Sequence, residues 1–124
     1  MHFLTAKAFS MLVLFHFFLT RRDFAALHER VRRFPLRQRG PSEFAIDDVC
    51  RAIDLACIWY PKEVLCLQRS AATACLLKQC GFPAQMIVGA RLMPFKAHAW
   101  VEANGKVVND KSYVSEMYSV LDRC

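Results

Sequence analysis

A cysteine, a histidine and an aspartate in the second half of the chain are residue types that together perform nucleophilic catalysis. Cys66 begins the segment CLQRSAATACLLKQC, His98 lies inside AHAWVEANGKVVND, and Asp110 ends that second segment. A cysteine thiolate attacks a carbonyl carbon, a histidine carries the proton, and a carboxylate orients the imidazole. The first segment is rich in helix formers, and a helix start favours a thiolate and holds an oxyanion. Cys66, His98 and Asp110 are therefore the candidate catalytic residues.

The approach of His98 to Asp110 depends on the turn of the predicted β-hairpin. A two-residue loop of Asn104 and Gly105 would point His98 and Asp110 to opposite faces. A three-residue loop would place them opposite each other. It would also place two oppositely charged residues opposite each other, and an aromatic residue opposite a β-branched one. Each such cross-strand pair contributes roughly 0.2 to 1 kcal/mol. We therefore predict the three-residue loop, with Asp122 as the nearest replacement acid if that register is wrong.

The hydrophobic periodicity predicts helices first and strands later, which makes the fold class α+β. Helices are expected over 4–19, over 24–34 with Pro35 as the stop, from Ile46 to about Tyr60, and from Cys66 to Gly81. PLRQRGPSE is predicted to be a linker, AQMIVGAR a strand, and AHAWVEANGKVVND a hairpin, whereas the tail SYVSEMYSVLDRC is assigned no element. We predict an N-terminal helical segment and linker over 1–44 and a core domain over 45–124.

The composition favours a cytoplasmic protein with reduced thiols. Four of the six cysteines fall within helical patterns, and neither a CxxC pair nor another common zinc-ligand spacing occurs, so we expect no metal. The net charge is +6, and RRDFAALHERVRRFPLRQRG holds seven arginines against one aspartate and one glutamate. This basic stretch is either a solvated face or a docking surface for an acidic peptide, partner or lipid. His2, His16 and His28 show no setting like that of His98.

The apolar run AFSMLVLFHFFL near the N-terminus is interrupted by His16 and followed by Arg21 and Arg22. It is shorter than the roughly 20 residues of a membrane span, and no small-residue cleavage site follows it. We expect a helix that packs on the domain or on a partner. Contact of residues 4–19 with a membrane surface is the second interpretation.

The stretch VLCLQRSAATACLLKQCGFPAQMIVGARLMPFKAHAWVEANGKVVND resembles the protease half of the B proteins of bacterial lasso-peptide biosynthesis. Four motifs carry the resemblance: a CLxRS-type segment that opens a helix, a GFPA turn into a strand, PF-x-AHAWVE, and a final ND. It covers residues 64–110 strongly and 45–63 weakly. The resemblance implies a minimal transglutaminase- or papain-like core, in which a cysteine-bearing helix packs on a small antiparallel sheet.

By this resemblance Cys66 is the nucleophile, His98 the general base and acid, and Asp110 its orienter. The family removes the leader from a ribosomally made precursor peptide, and a separate ATP-dependent macrocyclase then joins the freed amine to a side-chain carboxylate. The chemistry implies no cofactor and no nucleic-acid partner. The N-terminal segment is too short and too apolar for a fused leader-binding module, so a separate leader-binding protein is expected.

Four further residues are candidates for contact with substrate. Phe95 and Trp100 flank His98 and are suited to line a cleft, although ordinary core packing is the competing interpretation for both. Arg69 and Arg91 are candidates only because of the motifs that surround them. Gln68 is left out of the catalytic set, because a papain-like oxyanion glutamine precedes the cysteine instead of following it.

Two other functions remain open from sequence alone. The same three residues also suit a transglutaminase- or amidase-type acyl transfer to an amine, because site access and not the triad chooses the acceptor. A basic binding or adaptor module without catalysis is the second alternative. It predicts that function survives the loss of Cys66 and that affinity falls steeply with salt.

Overall fold

The computed structural model describes residues 2–37 and 44–124, so part of the predicted linker, including Gly40 and Pro41, lies outside the described residues. Five helices and four strands follow one another in these parts of the chain. They are α1 (His2–Thr20), α2 (Phe24–Arg33), α3 (Ile46–Trp59), α4 (Cys66–Gln79), β1 (Ala84–Arg91), β2 (Lys96–Ala103), β3 (Lys106–Val107), α5 (Val114–Met117) and β4 (Ser119–Arg123). Within the described residues up to Ala103, the predicted order of helices and strands is confirmed.

The strands form one antiparallel sheet in the order β3-β2-β1-β4. The central pair is continuous from Ala84 opposite Ala103 to Arg91 opposite Lys96. The C-terminal tail, to which the sequence assigned no firm structure, supplies α5 and the edge strand β4. The α+β prediction is confirmed, because α4 packs against this small antiparallel sheet.

Helix α4 is the central element of the hydrophobic core, and residues 70–78 are all buried. Its small residues Ala71, Ala72 and Ala74 allow close approach on several sides. Helix α1 packs against α3 and α4 with Leu4, Ala8, Leu12 and Phe15, whose spacing of three or four residues forms one stripe. Helix α1 therefore shares one core with the rest of the chain, and the division at residue 44 stays a prediction.

Helix α1 is longer than the apolar run suggested. Phe3–Thr20 has a mean hydropathy of 1.6 and is 22% buried, so by length and composition alone it could cross a membrane. The core helices of folded domains and signal sequences meet the same criteria. In this structure its buried stripe is covered by α3 and α4, while Phe3 and Phe17 are exposed.

The predicted three-residue hairpin loop is wrong. Ala103 pairs with Lys106, so the loop contains only Asn104 and Gly105. Both loop residues have positive φ, 54° and 75°, as a type I′ turn requires. Asn-Gly tolerates this conformation at both positions, and the twist of such a turn matches that of the flanking strands. The backbone preference of the turn therefore outweighs the side-chain pairs that favoured the longer loop.

Candidate active site

His98 and Asp110 are in contact even though the hairpin register would separate them. Strand β3 ends at Val107, and Val108 N–H still donates to Val101 O at 3.0 Å. In a regular ladder Val101 N–H would donate back to the backbone of the partner strand. Here it donates instead to the side-chain Oδ1 of Asn109 at 2.8 Å. The chain leaves the ladder at this point, so strand alternation no longer decides the direction of Asp110. The predicted pair therefore forms by a route that the sequence did not reveal.

The contact joins His98 Nε2 to Asp110 Oδ2 at 2.5 Å, with side chains that are 23% and 22% exposed. Asp110 Oδ1 also accepts the N–H of Lys111 at 2.7 Å. Partial burial raises the pKa of Asp110, but the hydrogen bonds from His98 and Lys111 outweigh it and hold the pKa below its ordinary value. Asp110 is thus a carboxylate near neutral pH and fixes the orientation of the imidazole.

Two aromatic side chains support the His98 ring. Tyr118 stacks on it with centroids 5.4 Å apart, and Trp100 lies at 6.2 Å. Trp100 is fully buried and donates from Nε1 to Glu102 at 3.1 Å. It therefore packs behind the histidine and does not line an open cleft, contrary to its prediction as a substrate contact. Gly89 of β1 packs so closely against these two side chains that it leaves no room for one of its own, since a Cβ there would lie 2.9 Å from both Trp100 and Tyr118.

Cys66 is the first residue of α4, as the sequence predicted, and it is exposed. Leu65 before it has no side-chain capping bond, and the Arg69 N–H makes the first helical bond, to Leu65 O at 2.9 Å. The preceding backbone N–H groups of the first turn are therefore available to an anion. Within the part of the chain that the structure describes, no hydrogen bond joins Cys66 Sγ to His98. Gln68 is buried and donates to Leu12 O of α1 at 2.8 Å, which gives it a packing role.

The remaining three candidates for substrate contact have different surroundings. Phe95 is 71% exposed on the loop before β2, and it lines a groove of about 560 Å³ together with Leu92, Met117 and Leu121. Arg91 places its guanidinium 5.8 Å from the Tyr118 ring centre and so lies beside the aromatic support of His98.

Arg69 forms an ion pair with Asp54 of α3. It borders a small pocket of about 130 Å³ beside Asn109. Phe95 and Arg91 both line the larger groove, whereas Arg69 is paired with Asp54.

A second histidine–aspartate pair was missed by sequence reasoning, which saw no special setting for His28. His28 Nδ1–H donates to Asp122 Oδ2 at 2.9 Å across 94 residues of sequence, and Arg32 lies 3.5 Å from the other carboxylate oxygen. Asp122 is therefore not a substitute for Asp110. No sequence signal located this pair, because it depends on β4, which was not predicted.

Cys124 Sγ lies within 4.8 Å of the ligand atoms of this second pair. A histidine, a carboxylate and a thiol are chemically suited to hold Zn²⁺. The carboxylate already pairs with His28 and Arg32, and burial raises the pKa of Cys124 to about 11, so the thiol is held protonated.

One of the thiols is exposed, two are half-buried and three are buried. All six cysteines lie in the described residues, and all are free thiols. Burial raises the pKa of Cys50 to about 11 and that of Cys75 to about 12. Cys66 is the exposed member of the set, which makes it the thiol that a substrate can reach.

Comparison with known proteins agrees with the motifs. The sequence model described as the transglutaminase-like superfamily matches residues 9–123. The chain is also similar to the microcin J25-processing protein McjB of Escherichia coli, with 36% identity over 56 residues. That alignment covers 45% of this chain and 27% of the relative, so the chain matches about a quarter of the relative's length. No solved structure matches the chain significantly. The similarity to lasso-peptide B proteins that the motifs indicated is confirmed.

Proposed function

The chain belongs to the transglutaminase-like superfamily, and on that premise we propose that it is a cysteine peptidase that removes the leader from a lasso-peptide precursor. The observation that carries the proposal is the contact between His98 and Asp110 at 2.5 Å, in a fold whose central helix begins with an exposed Cys66. Histidine, carboxylate and accessible thiol are the groups that acyl chemistry at a cysteine requires.

The reaction follows from the assigned roles. His98 Nε2 is held by Asp110, so Nδ1 is the ring nitrogen that exchanges a proton with the Cys66 thiol. The thiolate attacks the carbonyl carbon of the scissile peptide, and the first backbone N–H groups of α4 stabilise the oxyanion. His98 then gives its proton to the departing amine, which leaves an acyl-enzyme. Water deprotonated by His98 attacks this thioester, and Cys66 and the leader carboxylate are released.

The substrate assignment rests on similarity and on the surface near His98. McjB is named for the processing of microcin J25, and the motifs of this chain resemble lasso-peptide B proteins. The groove beside Phe95 and Tyr118 is exposed and suits an extended peptide. We further propose that a separate leader-binding protein delivers the precursor and that an ATP-dependent macrocyclase consumes the product. The exposed Arg30, Arg32 and Arg33 of α2 are the candidate docking residues.

Acyl transfer to an amine is the second candidate, because the matching superfamily is named for that reaction. The two reactions share the acyl-enzyme and differ only in the nucleophile that releases it. Hydrolysis adds the mass of water to the two fragments, whereas transfer yields an amide adduct of the acyl fragment.

The test is mass spectrometry of a lasso-type precursor incubated with the full chain and a leader-binding partner. We expect cleavage at the junction of leader and core, and loss of cleavage in Cys66→Ala and His98→Ala. Cys57→Ala, at a half-buried thiol of α3, and His16→Ala, at an α1 histidine bonded to Thr20, are matched controls that should retain cleavage. Cleavage that persists in Cys66→Ala contradicts the proposal. An amine adduct instead of hydrolysis supports acyl transfer.

A further inference from the structure

The side chain of Asn109 joins the three elements that carry the proposed catalytic residues. Its Oδ1 accepts the backbone N–H of Val101 in β2 at 2.8 Å, and its Nδ2 donates to Ser70 Oγ of α4 at 3.2 Å. Asp110 follows Asn109 directly in the chain. Both polar groups of one amide are therefore engaged, one towards the strand of His98 and the other towards the helix of Cys66.

Ser70 places this link close to the nucleophile along the helix. It lies four residues after Cys66, so the two residues share one helix face one turn apart. Ser70 is 1% exposed, and a buried hydroxyl retains a hydrogen-bond partner because desolvation without one is costly. The bond to Asn109 thus fixes the start of α4 relative to the segment that bears Asp110.

Asn109 also explains why Asp110 faces His98 in a register that should separate them. A regular ladder would bond Val101 N–H to Val108 O, but the Asn109 side chain takes this donor and the chain turns away. Val108 O instead accepts a bond from Cys50 Sγ at 3.4 Å. The exit from β3, and with it the direction of the Asp110 carboxylate, depends on the Asn109 amide.

We propose that Asn109 is the positioning residue of this site: its amide directs Asp110 onto His98 and ties both to the helix that begins with Cys66. The effect on cleavage rests on the proposed function, whereas the effect on the geometry of Asp110 does not. The residue acts through Asp110 and Ser70 and does not contact substrate.

Three variants of the full chain, studied with the leader-binding partner, test this role. Asn109→Ala removes both bonds, Ser70→Ala removes only the link to α4, and Cys50→Ala removes a contact on the same segment as a matched control. The measurements are kcat and KM for precursor cleavage and the titration of the Asp110 carboxyl carbon by NMR. Small misplacements of catalytic groups reduce rates by up to about 100-fold, so that scale applies to Asn109→Ala.

We expect Asn109→Ala to lower kcat by about 10- to 100-fold with little change in KM. It should also raise the pH at which Asp110 titrates, because the bond from His98 is lost. Ser70→Ala should lower kcat less and leave the Asp110 titration unchanged, and Cys50→Ala should change neither. A purely structural role would lower the melting temperature without moving the Asp110 titration.

The outcomes separate this proposal from the proposed function. Wild-type kcat and an unchanged Asp110 titration in Asn109→Ala would overturn the positioning role. If the wild type cleaves no precursor, the proposed function fails, and the Asp110 titration still decides whether Asn109 directs the carboxylate. If Asn109→Ala does not fold, unchanged kcat in Ser70→Ala contradicts the link to α4.

Discussion

Two histidine–aspartate pairs in one small chain have different surroundings. His98 and Asp110 meet at 2.5 Å beside stacked aromatic rings, and His28 and Asp122 meet at 2.9 Å beside Arg32. The two imidazoles are equally exposed, at 23%. The pair itself therefore does not distinguish a catalytic site from a structural contact.

The thiol near His28 and the thiol proposed to act with His98 provide the distinction. Cys124, near His28, is buried, and its pKa is raised to about 11. Cys66 is exposed at the start of a helix whose first N–H groups are not capped by a side chain. A substrate carbonyl can approach one thiol and not the other, so accessibility and helix position separate the candidate site from its counterpart.

The largest expected difference between the pairs lies in the loss of one carboxylate. We expect Asp110→Asn to lower kcat for precursor cleavage by about 1,000-fold, because the amide no longer fixes the imidazole tautomer or stabilises its charged form. Asp122→Asn should change kcat by less than about 2-fold, because the thiol near this pair is buried and cannot be reached by a substrate. The measurement is steady-state kinetics of both variants by mass spectrometry. Comparable losses in the two variants would remove the distinction drawn between the pairs.

The next difference concerns alkylation of the thiols. Near pH 7.5 iodoacetamide should modify Cys66 at least about 100-fold faster than Cys50, Cys75 or Cys124, because these three thiols are partly or fully buried and burial raises their pKa values. Peptide mapping by mass spectrometry after short exposures gives the rate at each site. The Cys66→Ala variant, which should show no fast adduct, is the control. Fast modification of Cys124 would show that its burial does not protect it.

Much of the fold could be predicted from local sequence patterns. Apolar periodicity located α2 and α3, an apolar run located α1, a segment rich in helix formers located α4, and the period of two located β1 and β2. The tail was missed because Ser119–Arg123 is short, and its pairing with β1 is a long-range contact that no local pattern encodes. His28 was missed for the same reason, because its partner lies on that strand.

The candidate site shows where sequence reasoning fails in detail. His98 and Asp110 were paired on a three-residue loop, but the loop has two residues and the contact depends on the Asn109 side chain. The rule of strand alternation applies only while the ladder continues, and a side chain that replaces a backbone acceptor ends it. Tyr118, which stacks on His98, could not be identified because it precedes the unpredicted β4.

A smaller effect is expected from crowding the two aromatic side chains that support His98. Gly89→Ala would place a Cβ 2.9 Å from Trp100 and Tyr118 and 3.1 Å from the Ser119 carbonyl oxygen, so side chains or backbone must move. Overpacking of this kind costs about 1 to 3 kcal/mol, and we expect about 10-fold lower kcat as the stack behind His98 shifts.

Gly105→Ala is the control at the other end of β2. A Cβ added at Gly105 would meet no atoms within 4 Å, but the residue has a φ of 75°, which is unfavourable for alanine. The variant should therefore lower the free energy of unfolding by about 1 kcal/mol without changing kcat. Thermal unfolding and kinetics of both variants provide the comparison. Equal kcat in the two variants would argue against a role of the aromatic stack.

The smallest effects are expected in the pH dependence of stability, where the two sites should differ in sign. The pKa of Asp110 is depressed in the folded state, so its contribution is present above the ordinary value of 3.8 and is lost as pH falls below it. The pKa of Cys124 is raised from 9.0 to about 11, so the folded state binds more protons in that interval and stability falls as pH rises through it.

Denaturant unfolding across the pH range tests these two contributions. Asp110→Asn should flatten the decline in the free energy of unfolding at acid pH, and Cys124→Ala should flatten part of the decline above pH 9. Each variant serves as the control for the other, because neither should alter the opposite limb. An acid limb unchanged in Asp110→Asn would mean that His98 and Lys111 do not stabilise that carboxylate in the folded chain. The orienting role proposed for Asp110 would then lose its electrostatic support.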